Sequence, residues 1–351
     1  MKYEKNTSEA VELLKRLIAV PSFSRDEKPA ADIVEQFLSN KGYGTHRLGN
    51  NVWVISDGFD ESRPTILLDA HVDTVKPVSG WTHDPFTPEL TDDGCLFGLG
   101  SNDDGGSLVA LMQVFFIKSN DDSRDFNLIF LASAEEEVSG KNGIEAVLPL
   151  LPHIDFCIAG EPTCMQPAIA EKGLMVIDAV AHGKAGHAAR NEGVNAIYIA
   201  LKDIEWIQNH QYGKQTDLLG PVKQTVTIIN AGTQHNVIPD ECRFTIDVRS
   251  NECYTNKELF ELIDRNTESE VKARSFRLNS SRVEASHPFV MRAKELGLTP
   301  FGSPTLSNQA LMGFPSMKIG PGNSSRSHTA DEYIRIDEID DAIDIYCKLI
   351  K

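Results

Sequence analysis

The sequence predicts an α/β protein, a mostly parallel sheet covered by helices and interrupted by a second, smaller antiparallel unit. Three observations carry this. In the first half of the chain, short and almost purely apolar runs alternate with helical patterns, and strands apolar on both faces need helices on each side. From about residue 174 the pattern becomes strand, helix, strand, strand, helix, strand. After about residue 283 the mixed pattern of the first half returns. The expected division is 1–173 for the first part of the α/β domain, 174–283 for the inserted unit and 284–351 for the second part of the α/β domain.

The apolar runs of the first part are Thr65-Ile-Leu-Leu-Asp-Ala70, Phe126-Asn-Leu-Ile-Phe-Leu-Ala-Ser133 and Asp155-Phe-Cys-Ile-Ala159. Between the first two, Gly106–Ile117 is too long for a buried strand and apolar all round, which predicts a buried helix. Ser119–Asp125 is acidic and reads as a solvated turn. In the insert, strand Leu174–Ala181 precedes helix Asn195–Ile207, whose Ile197, Ala200, Leu201, Ile204 and Ile207 share one face. Strands Gln224–Asn230 and Cys242–Arg249, helix Asn256–Asn266 and strand Val271–Leu278 follow. This β-α-β-β-α-β order is that of ferredoxin-like domains. A short strand at Met317–Gly320, a Gly-Pro-Gly turn and a helix near Asp337–Ile350 close the chain.

Composition narrows the function classes. Among 351 residues, 34 Lys and Arg against 51 Asp and Glu leave a formal net charge of −17, which repels a phosphate backbone, and no basic stripe interrupts it. Nucleic acid is thereby excluded as a partner, and small molecules or cations fit better. The hydrophobic fraction of 41% and the charged fraction of 24% match soluble globular chains. No apolar run is long enough to span a bilayer, and the first 17 residues mix charges into a helical pattern, unlike a secretion signal. Cys95, Cys157, Cys164, Cys242, Cys253 and Cys347 contain no C-x-x-C pair, so free thiols in a reducing cytoplasm are expected.

The residues that follow the predicted strands carry chemistry. Asp69-Ala-His71-Val-Asp73 follows the first run, Glu135-Glu136-Glu137 the second and Gly160-Glu161-Pro162 the third. The last strand leads through Gly320-Pro-Gly322 to His328-Thr-Ala-Asp331-Glu332, and Asp103-Asp104 precedes the buried helix. In open α/β sheets ligands bind beyond the carboxyl ends of strands. Two imidazoles, several carboxylates and no thiolate suit Zn²⁺, Co²⁺ or Mn²⁺. Three ligating carboxylates balance two dications and a hydroxide, and paired ions activate water and polarise a carbonyl, the chemistry of amide hydrolysis. Taken singly, His-x-Asp, Glu-Glu-Glu and Gly-Glu-Pro read as structural histidine, solvated run and turn; in order and at strand ends they read as one site.

These segments, over the whole chain, resemble the M20 metallopeptidase and deacylase family, which includes acetylornithine deacetylase, succinyl-diaminopimelate desuccinylase, aminoacylase and glutamate carboxypeptidase. The resemblance implies a zinc-peptidase-like α/β fold with a ferredoxin-like lid and dimerisation domain. It implies two Zn²⁺, with Co²⁺ or Mn²⁺ as substitutes: His71 and Glu161 on one ion, Glu137 and His328 on the other, and Asp103 between them. The family's general base falls on Glu136, and Asp73 matches the carboxylate that orients the ligating His71. Where members commonly read Asp-x-Lys-Gly, this chain reads Asp103-Asp104-Gly105-Gly106. In the insert, Gly183-Lys-Ala-Gly-His187 resembles the family's Gly-x-x-x-His, and Asn236-Val-Ile-Pro239 and Asp247-Val-Arg249 its substrate-facing segments. His182 and His235 are expected to be structural.

The expected activity is cleavage of the amide bond of an N-acyl amino acid. Arg249 and the Gly320-Pro-Gly322 turn are candidates for the substrate's α-carboxylate, since a guanidinium fork suits a carboxylate. Ala-Glu171-Lys-Gly-Leu174 and Gly-His187-Ala-Ala look most like acetylornithine deacetylase, which points to N-acetyl- or N-succinyl-ornithine or -citrulline in arginine biosynthesis. Succinyl-diaminopimelate is the first alternative and a dipeptide or carboxypeptidase substrate the next. A non-catalytic metal-binding relative is the reading from a different class, and its simplest signature, loss of Glu136, is missing. The resemblance also implies a homodimer paired through the inserted sheet, with His187 delivered across it.

Overall fold

The computed structural model describes residues 4–190 and 192–351. The chain divides into two compact units. The first holds the residues up to Ile169, Val283–Phe301 and Ser307–Lys351; the second holds Ala170–Arg282 and Gly302–Leu306. The short segment Gly302–Leu306 thus joins the second unit, although it lies in a stretch assigned from sequence to the α/β domain.

In the first unit, strands Thr45–Leu48, Asn51–Ile55, Asn127–Ser133, Thr65–His71, Phe156–Ala159 and Ser316–Lys318 lie side by side in that order. Thr65–His71 runs parallel to both its neighbours, and Ser316–Lys318 runs parallel to Phe156–Ala159. The outer strands pair antiparallel. Every residue of Thr65–His71 and of Asn127–Ser133 is buried, as continuous apolar runs require. Leu67, Ile129, Leu131 and Cys157 pack to one face with Trp53, Ile144, Val147 and Ile154. The helix Gly106–Ser119 lies against these strands, buried from Gly106 through Phe115, and is flanked by helices Glu4–Ile18 and Ile336–Leu349. The carboxyl ends of four parallel strands therefore open at one edge of the sheet.

The second unit has strands Met175–His182, Lys223–Ala231, Glu241–Arg249 and Glu270–Ala273 with helices Ala196–Asn209 and Asn256–Asn266. Its sheet order is Lys223–Ala231, Glu241–Arg249, Met175–His182, Glu270–Ala273, and every pair is antiparallel. Met175, Ile177, Ala179 and Ala181 alternate inward against Ala200, Ile207, Leu259 and Ile263 of the helices. Two expectations are corrected. Val271–Leu278 is not one strand: the ladder ends at Ala273 opposite Ile177, and the Leu278 carbonyl is instead taken by Leu174 N–H at 2.9 Å and Asn256 Nδ2 at 2.7 Å. Leu201, expected on the buried face, is 51% exposed; that face is instead made by Ala196, Ala200, Asp203 and Ile207. Asp203 is buried because its carboxylate accepts the Glu268 and Ser269 N–H groups, both at 2.9 Å. Among the described residues no helix is long and apolar enough to cross a membrane.

Candidate metal centre

The strand Thr65–His71 ends on His71, whose Nδ1 lies 2.8 Å from the carbonyl oxygen of Asp73. That bond places the ring proton on Nδ1 and turns Nε2 toward Asp103 Oδ1 at 3.2 Å. Asp103 sits in the tight turn Ser101–Gly105, and its Oδ2 is 3.7 Å from Nε2 of His328. His328 lies 3.0 Å from Glu137 Oε2. One carboxylate therefore faces two imidazoles, one with each oxygen. Ligand atoms of His71, Glu136 and Glu161 lie within 4.8 Å of one another, as do those of His71, Asp103 and Glu137. All five residues expected to hold metal meet here, together with Glu136.

The three consecutive glutamates take separate directions. Glu135, at φ +55°, turns back so that its Oε1 accepts from Asn142 Nδ2 at 2.9 Å, over Gly140, where a Cβ would collide with it. Glu136 and Glu137 face the cluster. Each backbone N–H of the run meets a carboxylate: Glu135 donates to Glu27 at 3.2 Å, Glu136 to Asp73 Oδ1 at 3.0 Å and Glu137 to Asp73 Oδ2 at 3.1 Å. This changes the part expected of Asp73. Its carboxylate stands 3.6 Å from His71 Nδ1 and serves the glutamate loop and Ser24 Oγ, the latter at 2.7 Å, while its backbone carbonyl orients the imidazole. Ser24 and Glu27 were not singled out from sequence, since Ser-Arg-Asp-Glu just before a helix reads as an ordinary helix start.

Glu161 follows its strand across Gly160. A Cβ on Gly160 would lie 2.6 Å from Ser107 Cβ and 2.8 Å from Asp104 Oδ2, so a larger residue displaces the loop that carries Glu161. Gly160→Ala is expected to cost about 1–3 kcal/mol, read as a lower melting temperature of the metal-free protein. An unchanged melting point would mean that the loop absorbs the methyl group. The Gly320-Pro-Gly322 turn is stitched to the same loop: Gly320 N–H donates to Thr163 Oγ1 at 3.1 Å, and the Gly320 and Gly322 carbonyls accept from Met165 and Cys164 N–H at 2.8 and 2.7 Å. Within the turn expected to hold the substrate's α-carboxylate, the amide hydrogen of Gly320 is thus already engaged.

The other candidates lie in the second unit. Gly186-His187 pairs with Val237-Ile238, and Ala188 N–H donates to the Asn236 carbonyl at 3.0 Å, so His187 and Asn236 share one small ladder. His187 Nδ1 accepts from Ala189 N–H at 3.1 Å, which puts the ring proton on Nε2 and makes the exposed imidazole a ready donor. Arg249 is gripped by Asp247, with contacts of 2.8 and 3.1 Å. His182 sits 3.3 Å from Glu270 and His235 is exposed.

The electrostatics of the cluster call for a cation. Burial, reinforced by neighbouring carboxylates, pushes Glu136, Glu161 and Asp104 well above the usual carboxylate range. Both carboxylate oxygens of Asp104 and Oδ1 of Asp69 are buried without a hydrogen-bond partner, and burial raises Asp69 to about 6. Burial opposes charge on His71, but the hydrogen bond to Asp103 and the charges of Glu136, Asp73 and Asp104 outweigh it and hold the ring well above its ordinary range. The bond to Glu137 raises His328 to about 9. Crowded carboxylates and charged imidazoles of this kind are what a dication reverses, and an all-N/O donor set fits zinc, cobalt or manganese. Ligands must deprotonate to bind metal, so at pH 7 metal binding is expected to release protons and to tighten as pH rises. Calorimetry in buffers of different ionisation enthalpy reads this directly; heats independent of buffer would contradict it.

Residues 67–351 match the model for peptidase family M20/M25/M40. The chain belongs to this family. M20 members are metal-dependent hydrolases of amide bonds. A curated relative, succinyl-diaminopimelate desuccinylase of Wolbachia pipientis subsp. Culex pipiens, is 28% identical over 288 residues, covering 78% of this chain and 72% of its own. Among solved structures, a tripeptidase from Staphylococcus aureus superposes with a TM-score of 0.80 at 20% identity, covering 98% of each chain. A dinuclear metal-binding M20 peptidase from Bacillus subtilis gives 0.75 at 16% identity, covering 99% of this chain and 98% of its own. The likeness to the M20 structures extends to the α/β fold as a whole.

Proposed function

We propose that this chain hydrolyses the amide bond of an N-acyl amino acid with the help of two divalent cations, zinc foremost, and that N-succinyl-diaminopimelate is its first candidate substrate. The observation that carries the reading is the pair of donor groups that share His71, with Asp103 turned toward both imidazoles. The desuccinylase name of the curated relative favours the succinyl-diaminopimelate alternative over acetyl- or succinyl-ornithine and -citrulline. Arginine biosynthesis finds no support in the relatives named above.

In this reading His71 and Glu161 would hold one cation, Glu137 and His328 the other, and Asp103 would serve both. The pair would supply Lewis acidity toward the scissile carbonyl and make water acidic enough to attack at neutral pH. Glu136 accepts the proton of the attacking water and returns it to the leaving amine. Asp73 keeps Glu136 and Glu137 in place through their backbone N–H groups. His187, preset with its proton on Nε2, donates to the oxyanion that develops on the substrate. Arg249 binds a substrate carboxylate only by releasing Asp247. We place the homodimer contact at the edge strand Lys223–Ala231, whose Ile228 is 52% exposed and whose outer edge would pair with its twin. Six cysteines without a C-x-x-C pair accord with a reducing cytoplasm.

The test is a hydrolysis screen of zinc- and cobalt-loaded protein. It covers N-succinyl-diaminopimelate, the N-acetyl and N-succinyl forms of ornithine, citrulline and lysine, and a dipeptide panel. The highest kcat/KM is expected for N-succinyl-diaminopimelate. A preference for ornithine or citrulline returns the arginine-related reading, a dipeptide preference makes the chain a peptidase, and metal binding without hydrolysis makes it a non-catalytic relative. A single methylene is worth roughly 10–200-fold in such comparisons, so the screen resolves neighbouring substrates.

A further inference from the structure

We infer that Glu332 is the positioning residue that sets Asp103 between the two cation sites; this rests on the dinuclear reading above. Glu332 is 2% exposed and follows His328 by four residues. Its carboxylate receives three backbone N–H groups from one distant turn: Gly100 donates to Oε2 at 3.2 Å, and Asn102 and Asp103 donate to Oε1 at 2.8 and 2.9 Å. The Glu332 carbonyl also accepts from Gly98 N–H at 3.0 Å. The turn cannot satisfy these donors itself, because Gly100 is left-handed at φ +75° and Asp103 lies outside helical geometry at φ −123°, ψ 96°.

The neighbouring Asp331 does the same for a second loop. Its Oδ1 accepts from Thr82 and His83 N–H at 2.7 and 3.0 Å, and its Oδ2 from Thr82 Oγ1 at 2.7 Å. Residues 328–332 therefore form a clasp: His328 turns to the cluster while the next two carboxylates hold loops from the first third of the chain. Through Glu332 the place of Asp103 relative to His328 is set by hydrogen bonds within the protein. A carboxylate fixed in this way is aimed before metal arrives, which lowers the ordering cost of binding.

Glu332→Gln retains the shape but offers one acceptor oxygen in place of two, so one of the three donors faces an NH₂ group. Zinc titration against a competing chelator is expected to show both binding steps weakened by about 10–100-fold. Glu332→Asp, which keeps the charge one methylene short, should fall between Gln and the parent chain, and it carries the test if the Gln variant does not fold. Parent dissociation constants alongside a lowered melting temperature would reduce Glu332 to a structural residue and overturn the inference, as would weakening of one step alone. Asp103→Asn separates the two readings. If the parent chain takes up only one zinc, the dinuclear reading fails. If it takes up two and Asp103→Asn leaves both at parent affinity, Asp103 does not lie between them and the inference falls. If Asp103→Asn weakens both while the Glu332 variants weaken neither, only the role of Glu332 fails.

Discussion

Glu136→Gln is expected to keep its metal and to lose turnover by on the order of 10²–10⁴. The amide is nearly isosteric with the carboxylate, and the anchor at this position is the bond from Glu136 N–H to Asp73, which a side-chain substitution leaves untouched. What disappears is the capacity to take a proton from water. Metal analysis and steady-state kinetics on the same preparation check both halves. Loss of metal would make Glu136 a ligand, as its grouping with His71 and Glu161 permits. Near-normal turnover would move the base to Glu137, because Glu135 is turned away toward Asn142.

His187→Ala should lower kcat by about 10²–10³, the range of roughly 2.7–4 kcal/mol for removal of one oxyanion donor, with metal content unchanged. Under the proposed dimer the decisive form of the experiment mixes this variant with Glu136→Gln and lets subunits exchange. A His187→Ala subunit keeps Glu136 and borrows His187 from its Glu136→Gln partner, so one working site appears in each mixed dimer. Recovery of activity is the expected result. Proven exchange without recovery would place His187 in its own subunit's site or outside the reaction.

The candidate ligands at the strand ends are legible in the sequence because a strand buried on both faces admits few residue types, and His71 at the end of one or Glu161 just beyond another stands out. The grip of Asp247 on Arg249 was open to the same reasoning, since residues two apart on a strand share a face. Other features have no local signature. The donors that meet Glu332 lie 229 to 232 residues away, and no short pattern reports that two such segments meet. Leu201 shows how hydrophobicity misleads: the small Ala196 and Ala200 let the helix sit close to its sheet, and the larger apolar residue is left outside. Burial of Asp203 follows from two amide groups of another segment, which periodicity cannot reveal.

The parallel pairing of Ser316–Lys318 with Phe156–Ala159 has a consequence for the order in which the molecule is made. On the ribosome the whole of Ala170–Arg282 is synthesised between these two partners. Domains fold as units while the chain emerges, so the second unit is complete while Phe156–Ala159 is still a bare sheet edge, open to pairing with another nascent chain. His328 and Glu332 emerge later still. On the proposed assignment of His328 and Glu332, the amide-cleaving centre would stay silent through most of translation and be switched on by the last segment to arrive, and a prematurely terminated chain would be an aggregation hazard without being a stray hydrolase.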